Sequence, residues 1–227
     1  NFDLLITTME IQPTSIPSIM VNPLLSDADL EAIKAQVFAL ALLPRKAGTN
    51  HEPSHDSIDQ IKDISSALAS LIDSVDLISV EPSLSREQLL NLVGYRIGKN
   101  EVQGKQIVID LKARESMGSV AMEDEGFALF HAKSAGIDHP VMMVFRPESG
   151  SFDAFESGKI RVLVVLLIPH GTDPILNQFM SILTSSLIED EDYKSAVFGQ
   201  DKSGLKSQVR RVLSDPFNAW IMTRVKT

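Results

Sequence analysis

The chain has no cysteine among its 227 residues, which excludes disulfides, thiolate nucleophiles and cysteine-based zinc sites. This fits a reducing compartment, and a cytoplasmic location is expected. Positive charge is also scarce: 21 Lys and Arg stand against 30 Asp and Glu, a formal charge of −9. No Lys/Arg-rich run or basic stripe gathers those cations, so direct contact with nucleic acid is not expected. Long apolar runs are missing too. The longest, Val162-Leu163-Val164-Val165-Leu166-Leu167-Ile168, is about a third of the roughly 20 residues that a membrane helix needs, and reads as a buried strand. No membrane span is expected. The N-terminus lacks an initiator Met, a basic n-region and a cleavage site, and opens into the strand-like Phe2-Asp3-Leu4-Leu5-Ile6-Thr7-Thr8, so the chain reads as a piece of a longer protein.

Apolar residues at 44% and charged residues at 22% are globular values, and they exclude collagen, coiled coil and dominant disorder. At roughly 100 to 200 residues per domain, the length admits one large domain or two small ones, so boundaries must decide. Residues 1–43 read as strand, loop, strand and helix. Pro13 and Pro17 punctuate the loop, Ser18-Ile19-Met20-Val21 is the second strand, and Ser26 caps a helix with Leu30, Ile33, Val37 and Leu40 on one face. Residues 44–57, with Pro44, Gly48, Asn50, Pro53 and Ser54, have the composition of a linker. Residues 58–83 form a connecting helix and strand, from the helical spacing of Ile58, Ile61, Ile64, Leu68, Leu71 and Ile72 and the run Val75 to Val80.

The second domain spans 84–227. Ser85 with Gln88 starts a helix that Gly94 and Gly98 weaken at its end, and a second helix covers Gln106 to Met117. Strand candidates follow at Phe127–Phe130, Val141–Phe145 and Arg161–Ile168. Asp173 and Pro174 open a helix from Ile175 to Leu187, and a last helix runs from Lys202 to Leu213. The expected fold class is α/β, a mixed central sheet with helices on both faces.

His51 and His55 are four apart, but Pro53 lies between them in linker-like sequence and no third ligand is near, so neither a metal nor a cofactor is expected. His131 is the candidate with chemistry. It stands where Phe127-Ala128-Leu129-Phe130 gives way to the small residues Ala132 to Gly136, which places an imidazole at the end of a strand beside open backbone. A neutral imidazole is nucleophilic through one nitrogen while the other is held, and so can accept a phosphoryl group. The hydroxyls of Ser119 or Ser134 and the Arg114 guanidinium could serve its oxygens.

The stretch Lys112-Ala113-Arg114-Glu115-Ser116-Met117-Gly118-Ser119-Val120-Ala121, then Glu125-Gly126-Phe127-Ala128-Leu129-Phe130-His131-Ala132, resembles the fructose/mannitol-type enzyme IIA domain of the bacterial sugar phosphotransferase system. The likeness runs on through Gly136-Ile137-Asp138-His139-Pro140-Val141 and the helix from Leu176 to Leu183, over about residues 84–215. It implies His131 as phosphoacceptor and Arg114 as phosphate partner, with Ser119, Ser134 and His170 as accessory candidates. Two positions depart from the family pattern: Phe130 stands where a Pro precedes the motif His, and Leu176 where mannitol-type members carry a second His. His139 reads as a surface residue.

Residues 3–8 and 16–30 resemble the second half of a galactitol-type enzyme IIB domain, the half without its phosphorylated Cys. A IIB-like part followed by a IIA-like part resembles the C-terminal end of transcription activators and antiterminators of the mannitol-operon and BglG type. The resemblance implies a phosphorylation-sensing module regulated through HPr or a sugar-specific IIB domain and coupled to upstream regulatory domains of the same protein. The alternative it leaves open is a transport IIA passing phosphoryl from HPr to a IIB. On either reading the chain is a phosphotransfer domain rather than a turnover enzyme on small molecules.

Overall fold

A computed structural model describes residues 5–7, 18–20 and 56–225. These residues fall in two units, residues 1–52 with 222–227 and residues 53–221. In the first, β1 (Leu5–Thr7) and β2 (Ser18–Met20) pair in parallel, Ile6 opposite Ile19. The helix expected after Ser26, most of the linker, and His51 and His55 lie outside the described residues.

The second unit holds α1 (Asp56–Ser74), β3 (Asp76–Val80), α2 (Arg86–Ile97), α3 (Glu101–Ser116), β4 (Val120–Met122), β5 (Phe127–Ser134), β6 (Val141–Pro147), β7 (Val162–Pro169), α4 (Pro174–Glu189), α5 (Glu191–Phe198) and α6 (Lys202–Val225) up to residue 221. The five strands order as β3-β6-β7-β5-β4. β3 runs parallel to β6 and β5 parallel to β7, while β6–β7 and β4–β5 are antiparallel. The connecting helix and strand are present as α1 and β3, and β3 is hydrogen-bonded into this sheet beside β6.

The sheet is mixed and covered on both faces. On one face Phe127, Leu129, Val162 and Val164 pack with Leu68 and Leu71 of α1, Phe179 and Leu183 of α4 and Leu205 and Val209 of α6. On the other, Ala128, Phe130, Leu163 and Val165 pack with Leu89 and Val93 of α2 and Ile107 and Leu111 of α3. The split follows from the period-two alternation of strand side chains. β7 is central and buried along nearly all its length, as its unbroken Val/Leu/Ile run requires.

Several elements differ from the sequence reading. α3 starts at Glu101 rather than Gln106, because the Asn100 side chain caps it by accepting from Gln103 N–H at 3.0 Å. α2 ends at Ile97 with Gly98 as its C-cap, its N–H bonded to the Gly94 carbonyl, and both glycines are also contact points between α2 and α3. A Cβ on Gly94 would lie 2.4 Å from Val108 Cγ2, and one on Gly98 would lie 2.5 Å from the Gly104 nitrogen. The short β4 and the helix α5 add to the expected set, and α6 continues past Leu213 through Pro216 to Val225.

Candidate functional site

His131 is the fifth of eight residues in β5, not the residue that ends it, since pairing with β7 continues from His131↔Leu166 to Ser134↔Pro169. Access comes from the other edge. β4 pairs Val120 with Leu129 as its last rung toward His131; continuing that register would set Gly118 opposite His131, but there the chain leaves the ladder. Gly118 has φ +133°, a left-handed conformation that favours glycine, and this lets the chain turn out of α3 into β4. The edge of β5 is thereby open beside His131, which is half-buried.

Arg114, in the last turn of α3, fills this opening. Its Nε–H donates to Nε2 of His131 at 3.2 Å, and its Nη1 donates to the carbonyl of Gly118 at 2.9 Å. An arginine can only donate, so Nε2 is the unprotonated nitrogen and the neutral ring carries its proton on Nδ1. Nδ1 is enclosed and has no hydrogen-bond partner within the structure. Burial, and secondarily the Arg114 charge, push the His131 pKa below its ordinary value of 6.5. The imidazole is therefore held neutral at neutral pH, with its lone pair directed at a guanidinium.

This depression has a measurable sign. The unfolded chain binds the proton more tightly than the folded one, so stability from His131 is complete above pH 6.5 and declines as pH falls through the folded-state value. A titration of the His131 ring by NMR is expected to show a midpoint below 6.5. A midpoint at or above 6.5 would contradict the enclosed, Arg-flanked geometry.

The other candidates separate. Ser119 is exposed and directly follows Gly118, on the rim of the site. Ser134 is fully buried and its hydroxyl is engaged, donating to Asp110 Oδ2 at 2.6 Å and accepting from Gly136 N–H at 3.0 Å. By strand alternation it faces away from His131. His170 is exposed in the turn after β7, four residues beyond the partner of His131, and its backbone N–H bonds to the Ser134 carbonyl at 3.3 Å. His139 is exposed, as expected. A cavity of about 640 Å³ beyond the ends of β5 and β7 is lined by Asp59, Asp63, His139, His170 and Leu176, but not by His131.

The two departures from the family pattern are packed residues. Phe130 is fully buried against α2 and α3, and Leu176 is buried at the start of α4. One cluster was not legible in the sequence. Arg86, the first residue of α2, pairs with Glu115 and lies over the rings of Phe130 at 5.8 Å and Phe155 at 5.5 Å. Residues 29 and 44 positions apart meet here, and no local pattern marks such a contact. No helix among the described residues is long and apolar enough to cross a membrane.

The model of the family described as phosphoenolpyruvate-dependent sugar phosphotransferase system, EIIA 2, matches residues 72–196, more than half of the chain, and includes both His131 and Arg114. The nitrogen regulatory protein IIA-Ntr from Neisseria meningitidis is similar in structure, with 17% identity and a TM-score of 0.49 over 61% of this chain and 94% of that one. No curated protein matches the chain. The match begins inside α1 and takes in every strand from β3 to β7, so the whole sheet carrying the His131–Arg114 pair lies within it, and the chain belongs to the EIIA 2 family of the phosphoenolpyruvate-dependent sugar phosphotransferase system.

Proposed function

We propose that this chain accepts a phosphoryl group on Nε2 of His131 and acts as a cytoplasmic phosphorylation-sensing module of a phosphotransferase-controlled transcription activator or antiterminator. The observation that carries the phosphoacceptor reading is the Arg114 Nε–H···Nε2 contact at 3.2 Å. It sets an unprotonated nucleophilic nitrogen beside a fixed cation. Transfer consists of attack by the Nε2 lone pair on phosphorus while the bond from phosphorus to the donor breaks. Before that attack Arg114 turns its Nε–H from Nε2 to the phosphoryl oxygens, a shift of a few ångströms for a side chain on a helix end, which frees the lone pair. Nδ1 is enclosed and cannot reach a donor protein. HPr or a sugar-specific IIB domain is the partner this family membership implies.

The regulatory reading is favoured by Leu176. A leucine buried where mannitol-type domains carry a second histidine leaves no imidazole at that position to assist the departing phosphoryl group. A phosphohistidine that leaves slowly suits a sensor; one that leaves fast suits a carrier. The arrangement we infer places a IIB-like half over 1–43, a linker from 44 up to the start of α1 at Asp56 and the phosphoacceptor domain after it, with output passing to regulatory domains upstream in the same protein. A chain at −9 offers no basic counter-surface for a nucleic-acid backbone, so that output runs through protein contacts.

The second reading, a transport IIA, predicts rapid onward transfer. The test is to phosphorylate the chain with phosphoenolpyruvate, enzyme I and HPr, remove the donors, and follow label loss with and without Cys-bearing IIB domains. A long-lived phosphohistidine is the expected outcome. Fast loss to a IIB would overturn the regulatory reading.

A further inference from the structure

The Arg86 guanidinium touches the sequence neighbours of both residues in the site. Phe130, under its face at 5.8 Å, precedes His131 in β5; Glu115, its ion-pair partner, follows Arg114 in α3. Phe155 flanks the same guanidinium at 5.5 Å. Because side chains alternate along β5, Phe130 points into the α2–α3 face while its neighbour His131 projects on the other side, at the open edge. The same division holds on α3: the Glu115 side chain is 7% exposed, turned toward Arg86, while Arg114 reaches out past Gly118. Three segments, the start of α2, the end of α3 and the middle of β5, thus meet at one planar cation. Glu115 Oε1 is buried without a hydrogen-bond partner, so its carboxylate relies on Arg86.

We infer that Arg86 is a positioning residue for phosphoryl transfer, locking the last turn of α3 onto β5 so that Arg114 is held at Nε2 of His131. The inference rests on the phosphoacceptor role of His131. It assigns a use to Phe130, one of the two residues that depart from the family pattern: the guanidinium sits over its ring. An ammonium cannot serve here, because it lacks both the flat face for the rings and the fork for the carboxylate.

The test uses Arg86→Lys, Arg86→Met and Phe130→Leu in the full chain, with two readouts. The first is the Arg114 Nε–H resonance in proton–nitrogen spectra, assigned by its disappearance in Arg114→Lys. The second is the rate of His131 phosphorylation. Arg86→Lys is expected to melt close to the wild-type temperature, since charge is kept, yet to lose the hydrogen-bonded Nε–H signal and to slow phosphorylation roughly ten- to hundredfold, the usual penalty for a displacement of about 1 Å at a reacting centre. Phe130→Leu should reproduce the defect, and Arg86→Met with Phe130→Leu should be no slower than Arg86→Met alone, because both remove one linkage. Arg86→Lys with wild-type rate and wild-type Arg114 signal would overturn the inference and leave a plain structural ion pair. Should the wild-type chain take no label, the phosphoacceptor reading fails, and the Arg114 resonance still reports separately whether Arg86 sets the contact.

Discussion

His131→Ala, incubated with phosphoenolpyruvate, enzyme I and HPr, is expected to take up no acid-labile phosphate, whereas the wild-type chain takes up one equivalent. The loss should be complete, because the reaction makes a nitrogen–phosphorus bond and alanine has no nitrogen to offer. The side chain removed is half-buried at a sheet edge and makes one hydrogen bond, to Arg114. Losing a bond of that kind costs about 1 kcal/mol, too little to unfold a domain whose core fills both faces of a five-stranded sheet. Cooperative melting of the variant therefore accompanies loss of label, which separates chemistry from folding. His139 and His170 are exposed and remain in the variant as internal controls. Undiminished labelling would move the phosphoacceptor to one of them or to another histidine, and the assignment of His131 would be wrong.

Much of this architecture is written locally in the chain, and the parts that are not share a physical reason. β7 announces itself by seven consecutive apolar residues, which only a strand buried on both faces tolerates. The start of α2 is equally plain: Ser85 accepts from Gln88 N–H while the Gln88 side chain accepts from Ser85 N–H. α4 opens with Asp173 accepting from Ile175 N–H and Pro174 in its first turn. The end of β5 is less legible. Its later residues Ala132, Lys133 and Ser134 carry a weak strand signal, and it is the ladder with β7 that keeps them extended. Gly104 hides the true start of α3, since a glycine read alone suggests a break, whereas here its missing Cβ lets α2 and α3 approach.

The same contrast holds at the site. His131 and Arg114 are proposed from the resemblance that carries them, and the structure adds what spacing could not: a hydrogen bond between the two across the open edge of β5 and an enclosed Nδ1. Ser134 looked available because serines bind phosphate well, but its position three residues along the strand turns it to the opposite face, where its hydroxyl donates to Asp110. The Arg86–Glu115–Phe130 contact is wholly tertiary. Each of its residues has an ordinary local explanation, as a first-turn helix residue, a helix-end acid and a core aromatic, and only their meeting is informative.

Arg114→Lys should slow phosphorylation by about a hundredfold or more, while the melting temperature stays close to that of the wild type. The guanidinium holds two positions at once: Nε on the imidazole and Nη1 on the Gly118 carbonyl, 2.9 Å away. That two-point hold keeps the guanidinium beside the reacting nitrogen before the phosphoryl group arrives, so a short turn brings its donors to the oxygens as negative charge crosses to them. Removing one such preorganised donor commonly costs 10² to 10³ in rate. A lysine keeps the charge, but its single ammonium cannot bond Gly118 and face His131 in the same plane, and its flexible stem must be ordered during the reaction. Stability should change little, since Arg114 is partly exposed and its side chain makes, among the described residues, the two hydrogen bonds named and no ion pair. A lysine variant that labels at the wild-type rate would show that positive charge alone suffices. A variant that loses both rate and cooperative melting would instead make Arg114 a strut of the α3–β4 turn.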